Sequence, residues 1–124
     1  GGLSEKVQQR HPAVGDYVFI GTDAGLFGSV RIGDHAVIGP NPEIHGRVDI
    51  GEGCRVGASV FIGTIKSGER VPGWIRIGPG VRIGAGTIIE NSSALDLIIP
   101  EKAEIPARRH VNNDGFGNPQ FVTG

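Results

Sequence analysis

Aliphatic side chains recur every six residues through the first half of the sequence. Val14, Ile20, Leu26, Ile32, Ile38, Ile44, Ile50, Val56 and Ile62 keep this step without a break. Four residues after each of the first eight stands a second, mostly small side chain: Val18, Ala24, Val30, Ala36, Pro42, Val48, Cys54 and Val60. Lys66 breaks that second register. Gly follows the aliphatic at Gly15, Gly21, Gly33, Gly39, Gly51, Gly57 and Gly63. The step from Ile62 to Val71 is nine residues, and Val71, Ile77, Ile83 and Ile89 restore the rhythm. The expectation is a three-residue insertion near Gly68, Glu69 and Arg70, with Val71 back in phase and thirteen units in all.

A period of six matches neither the 3.6 of a helix nor the 2 of a plain strand. It matches a short strand and a sharp corner, repeated. Gly suits such a corner because it reaches positive φ cheaply. Three units close a triangular coil, which puts stacked positions 18 residues apart in sequence and about 4.8 Å apart in space. Val14, Ile32 and Ile50 then form one interior ladder, Ile20, Ile38 and Val56 a second, and Leu26, Ile44 and Ile62 a third. The predicted class is all-β, a parallel β-helix. One unit cannot stand alone: two buried aliphatics give roughly 3–6 kcal/mol, and ordering six backbones costs roughly 6–12 kcal/mol. Stacking supplies the rest through ladder hydrogen bonds and a core shared between coils.

Composition narrows the function classes. Gly is 22 of 124 residues, well above a usual share of about 7%, and Met is absent, which argues against helices. Twelve basic and thirteen acidic residues leave a formal charge of −1, which argues against a broad basic face for nucleic acid or anionic lipid. One Cys excludes a disulfide framework and a Cys-rich zinc site. No apolar run approaches the roughly 20 residues of a membrane helix, and no basic-then-apolar leader opens the sequence, so the expected setting is cytoplasmic. Gly78-Pro79-Gly80 and Gly84-Ala85-Gly86 read as corners, because neither follows a strand and opens a helix as a phosphate loop does.

The organisation expected is a set of β-helix coils over 1–94, with a partial first coil and a small insertion near 68–70, then a C-terminal extension over 95–124. In the extension Pro100 and Pro106 interrupt Leu95, Ile98 and Ile99. Residues 112–124 read as an irregular tail, either loosely ordered or with Phe116 and Phe121 docked on a neighbouring face.

The repeat resembles the hexapeptide-repeat proteins, and that resemblance implies a left-handed helix where general crossover rules favour the right hand. The stretch Arg10-His11-Pro12-Ala13-Val14-Gly15-Asp16-Tyr17-Val18-Phe19-Ile20-Gly21 is similar to the "RHP-x-[IV]-G-x-x-V-x-I-G" of serine acetyltransferases and related sugar O-acetyltransferases. Leu26 to Val30 and Ile105-Pro106-Ala107-Arg108, similar to the family's "VPAR", extend the likeness, with Glu104 where the family has Gly. The resemblance implies an O-acetyltransferase using acetyl-CoA and a small hydroxyl-bearing acceptor, with no metal, in a homotrimer. By position, His11 holds or polarises the acceptor as the catalytic residue, and Arg10 pairs with an acceptor carboxylate as a bidentate donor can. The pantetheine arm follows a coil edge, with Gly21, Thr22, Gly39 and Pro40 as the cofactor-binding candidates. The family also carries an upstream helical domain and an earlier coil whose Asp-His pair supplies the general base, so the expectation here includes a missing front coil. The alternative is a non-catalytic β-helix that serves as a scaffold or binding module.

The other chemistry-bearing residues each have a bland reading. His11 is equally a surface corner His. His35, in Asp34-His35-Ala36, stacks on Tyr17 with Gly53 above it by the 18-residue rule, or replaces the missing base. His45 stacks over Phe27 as a subunit or ligand contact, or as plain surface. His110 lies in Arg108-Arg109-His110 as a solvated basic turn, or meets the 3′-phosphate of CoA. His35 and His45 do not share a column, which argues against the zinc site of the γ-class carbonic anhydrases. Cys54 takes an inward small position as a packed thiol, and Trp74 covers a coil edge or stacks on a cofactor.

Overall fold

The computed structural model describes residues 12–122. Arg10 and His11 lie outside them. All described secondary structure is strand.

The inward aliphatics fall into three columns of five. The first runs Val14, Ile32, Ile50, Ile77, Ile99. The second runs Ile20, Ile38, Val56, Ile83, Ile105, and the third Leu26, Ile44, Ile62, Ile89, Val111. All but Val14 are buried. The second inward register also holds, with Ala24, Val30, Ala36, Val48, Cys54 and Val60 buried in the same core. Five coils are therefore stacked as a parallel β-solenoid.

Its first face carries β1 (Ala13–Val14), β8 (Ile75–Ile77) and β11 (Leu97–Ile99). The second carries β2 (Phe19–Ile20), β4 (Val37–Ile38), β6 (Arg55–Val56), β9 (Arg82–Ile83) and β12 (Glu104–Ile105), a five-stranded sheet. The third carries β7 (Phe61–Thr64), β10 (Ile88–Asn91) and β13 (His110–Asn113). Two long strands, β3 (Gly25–Ile32) and β5 (Glu43–Ile50), run from the third face onto the first. They pair along their whole length, 18 positions apart, and turn at Gly28 and Gly46, with φ of 96° and 85°.

Elsewhere positive φ does not fall on the Gly that follows the aliphatic. It falls two residues later, at Tyr17, Asp23, His35, Asn41, Gly53 and Ser59. The Gly itself answers to crowding. A Cβ on Gly21 would sit 2.6 Å from the Pro40 backbone, and one on Gly57 would sit 2.6 Å from the Ala85 amide nitrogen. These glycines let one coil lie against the next.

The insertion is larger than the sequence reading allows. Ile50 pairs with Ile77, and Ile62 with Ile89, each 27 positions on instead of 18. Nine residues are extra, and Val71 is 56% exposed in the resulting loop. The reason lies two residues upstream. In phase, Val71 would carry Glu69 into the core, where an unpaired carboxylate is very costly. Ile77 carries Ile75, which pairs with Val48 and is fully buried.

The coil also continues past residue 94. Leu97, Ile99 and Ile105 are buried on Ile75, Ile77 and Ile83, each 22 positions on. A second insertion of four residues shifts the phase and hides this coil from a six-step count. β14 (Pro119–Phe121) then pairs antiparallel with β13, so the tail is partly ordered. Phe121 lies beside the Arg109 guanidinium, 5.9 Å from it, whereas Phe116 is 83% exposed.

Two predictions follow from this packing. Ile77→Ala should cost about 2–5 kcal/mol, whereas Val71→Ala should stay within about 0.5 kcal/mol; denaturant unfolding of both variants checks the phase of the insertion. Gly57→Ala should cost about 1–3 kcal/mol because its Cβ meets backbone, read as a lowered Tm.

Candidate functional site

The corner between the second and third faces is a continuous edge. Gly21 and Thr22 stack on Gly39 and Pro40, with the Asn41 amide donating to the Thr22 carbonyl at 2.7 Å. Below them the Ser59 amide donates to Pro40, Gly86 to Ala58 and Arg108 to Ala85, each at 2.9 Å. Thr22, Pro40, Ala58, Ala85 and Ala107 thus form a ridge of small side chains. Thr22 and Pro40 are exposed, whereas Gly21 is buried under the Pro40 backbone. Beside the ridge, Asn41, Glu43, Ser59, Val60 and Phe61 line a hollow of about 210 Å³.

The third face adjoins this edge and carries two histidines near carboxylates. Around buried Ile44 stand Glu43 and His45. The His45 ring meets Phe27 edge-on at 5.0 Å and Phe61 at 5.3 Å. Phe61 reaches it by leaning over Gly63, where an added Cβ would sit 2.8 Å from its ring. His45 Nε2 is shielded from water and makes no hydrogen bond among the described residues. Glu43 Oε2 is 3.5 Å away.

His110 is held more closely, with its Nε2 2.8 Å from Glu90 Oε1, and both side chains are partly exposed. A carboxylate that accepts Nε2–H fixes the tautomer and leaves Nδ1 as an acceptor, the arrangement a general base requires. His110 is therefore tied to Glu90 by a hydrogen bond rather than standing in a free basic turn.

The other sequence candidates have structural partners. Tyr17 and His35 stack at 5.3 Å with 16° between planes, both at positive φ. Asp34 does not orient His35, because its Oδ1 accepts the Asp16 amide of the preceding coil at 2.7 Å. Cys54 is buried, and its Sγ lies 3.0 Å from the Gly78 carbonyl; burial pushes the thiol pKa up. The Trp74 ring lies near the guanidinium groups of Arg31 at 5.9 Å and Arg76 at 5.0 Å. Its amide donates to Asp96 Oδ1 at 2.9 Å, and Arg76 bridges Asp96 and Asp49 at 3.0 and 3.3 Å. Asp96, Arg76 and Glu90 escaped the sequence reading because their partners lie 20, 22 or 27 residues away, offsets that the insertions create.

Residues 29–64 match the family pattern described as "Bacterial transferase hexapeptide (six repeats)". The fold is a left-handed parallel β-helix of hexapeptide repeats. The crystal structure of the hexapeptide-repeat containing acetyltransferase VCA0836 from Vibrio cholerae shares this fold. It is 14% identical with a TM-score of 0.51, over 90% of this chain and 73% of that one. A mutant of GDP-perosamine N-acetyl transferase from Caulobacter crescentus, in complex with CoA and GDP-perosamine, aligns at 15% identity with a TM-score of 0.30, over 97% of this chain and 55% of that one. No curated protein matches.

The Asp96 carboxyl lies below its ordinary value of 3.8, held there first by the Trp74 amide and then by Arg76. A depressed carboxylate contributes fully above its unfolded value, and the contribution is lost as pH falls through the lower folded one. Fluorescence of the single Trp should therefore hold steady down to about pH 4 and change below it. Asp96→Ala should show the altered signal already at neutral pH.

Proposed function

We infer that the chain is a CoA-dependent O-acetyltransferase acting on a small hydroxyl-bearing acceptor, of the serine or sugar acetyltransferase type. The observation that carries this reading is the small-residue edge beside a face bearing the Glu90–His110 pair. An extended pantetheine arm suits a ridge whose side chains stop at Thr, Pro and Ala, with Gly21, Thr22, Gly39 and Pro40 at its upper end. Acetyl-CoA is the substrate that supplies the thioester carbonyl. In the transfer the acceptor oxygen bonds to that carbonyl carbon, the C–S bond breaks, and the acceptor proton passes to His110 Nδ1. Glu90 steadies the imidazolium that results. The protonated ring can return its proton to the departing thiolate, so no covalent enzyme intermediate is needed.

Arg10 and His11 belong to this proposal through the family resemblance, as ligands of the acceptor's carboxylate and hydroxyl. Homotrimeric assembly belongs to it on the same ground, and a cytoplasmic setting is proposed with it.

Calorimetric titration with CoA and acetyl-CoA tests the donor half, and micromolar binding is expected. With serine, homoserine and sugar acceptors, His110→Ala should slow acetyl transfer by about 10²–10⁴-fold, and Glu90→Gln by less. No CoA binding at millimolar concentration would leave the scaffold reading in its place.

A further inference from the structure

The second face carries one outward side chain per strand: Phe19, Val37, Arg55, Arg82 and Glu104, in register down the column. Arg55 therefore lies directly over Arg82 in adjacent strands, and both are exposed. Like charges in register on neighbouring strands repel. Neither guanidinium has an ion-pair partner among the described residues; the arginine ion pairs there belong to Arg76. Glu104 follows Arg82 in the column and forms no pair with it.

Beside the two arginines the strands give way to Gly57 and Gly84, and the surface dips into a shallow trough. With Val37, Val56, Ile83, Glu104, Ile105 and Pro106 completing its lining, this open trough offers about 460 Å³. Its lining is mostly apolar, and its charged residues, Arg55, Arg82 and Glu104, share one column. An anion between Arg55 and Arg82 would replace their repulsion with two charge-assisted hydrogen-bonding forks.

We propose that this trough binds the phosphate-class anion of a small-molecule ligand between Arg55 and Arg82. The ligand's remaining atoms rest on Val37 and Pro106. The anion comes either from the phosphates of the acyl donor or from a phosphorylated acceptor, and the two sources share the same recognition chemistry. The site stands on the arginine column and trough alone, whether or not the chain transfers acetyl groups.

Inorganic pyrophosphate, titrated calorimetrically into the full chain at low salt, is the probe. One site of millimolar affinity or tighter is expected. Arg55→Gln and Arg82→Gln should each weaken it about tenfold or more, and Glu104→Gln should tighten it about two- to fivefold by removing a repelling charge. Arg31→Gln, which changes an arginine on another face, should leave it unchanged. All four side chains are exposed, and thermal melts confirm that the variants fold. Repeating the titration with saturating CoA separates the sources: competition assigns the anion to the donor, and undiminished binding assigns it to the acceptor. Pyrophosphate binding without any CoA binding keeps this site and overturns the transferase reading. No pyrophosphate binding, or binding indifferent to Arg55→Gln and Arg82→Gln, overturns the site itself.

Discussion

The spacing between coils is set where backbone meets backbone, at the Gly after the inward aliphatics of the first two faces, which gives way to Pro100 and Pro106 only in the last coil. At Gly21, Gly33, Gly39, Gly51 and Gly57 an added Cβ would lie 2.6–2.9 Å from the backbone of the next coil. That contact holds the columns in register, so each Ile can lie on the one below it at the strand spacing of about 4.8 Å. The third face lacks this constraint in most coils. Its aliphatics are followed by Phe27, His45 and Glu90, side chains that project outward where a Gly would otherwise be required. The same relaxation admits chemistry and irregularity together. The histidine and carboxylate of interest stand on this face, and both insertions leave the solenoid at its far corner.

The insertions are tied down by polar groups rather than by apolar packing. Asn91 is fully buried at that corner. Its Nδ2 donates to the Trp74 carbonyl at 3.2 Å and the Leu95 carbonyl at 3.0 Å, and its Oδ1 accepts the Ser93 amide and Asn113 Nδ2. One side chain thus joins the end of the first insertion, the whole of the second and the start of the tail. A buried amide is tolerated because all of these bonds are made, and the removal of any partner would leave an unsatisfied group in the core. Arg47 adds a second tie, donating to the Pro72 carbonyl at 3.3 Å.

The fold was legible because it depends on a period, and a period needs no knowledge of distant partners. The first nine aliphatics, the Tyr17–His35 and Phe27–His45 stacks and the burial of Cys54 all follow from counting by six and eighteen. The count loses phase once the chain inserts nine residues and then four. Val71 looked inward because only one register was read at that point; the demand that the residue two before it also be apolar selects Ile77. The candidate site was less legible for the same reason. Glu90 and His110 are 20 residues apart, and no rule of eighteen brings them together. Adjacency in sequence does not make a pair either: Asp34 and His35 are neighbours, yet the carboxylate binds the coil before it and His35 stacks on Tyr17, as counting by eighteen expects.

Charge shows how a solenoid turns sequence order into surface pattern. The near-zero net charge argues against a broad basic face, and on the first face opposite charges do alternate: Arg31 pairs in register with Asp49, and Asp49 with Arg76. Arg76 completes this neutralisation through its bonds to Asp49 and Asp96. On the second face the first insertion changes which residues meet. Eighteen residues after Arg55 would stand Gly73; with nine more, Arg82 takes its place. The phase shift that brings Ile75 and Ile77 into the core therefore also sets two arginines side by side outside it. Core packing sets the register, and the unneutralised strip on the surface is its consequence.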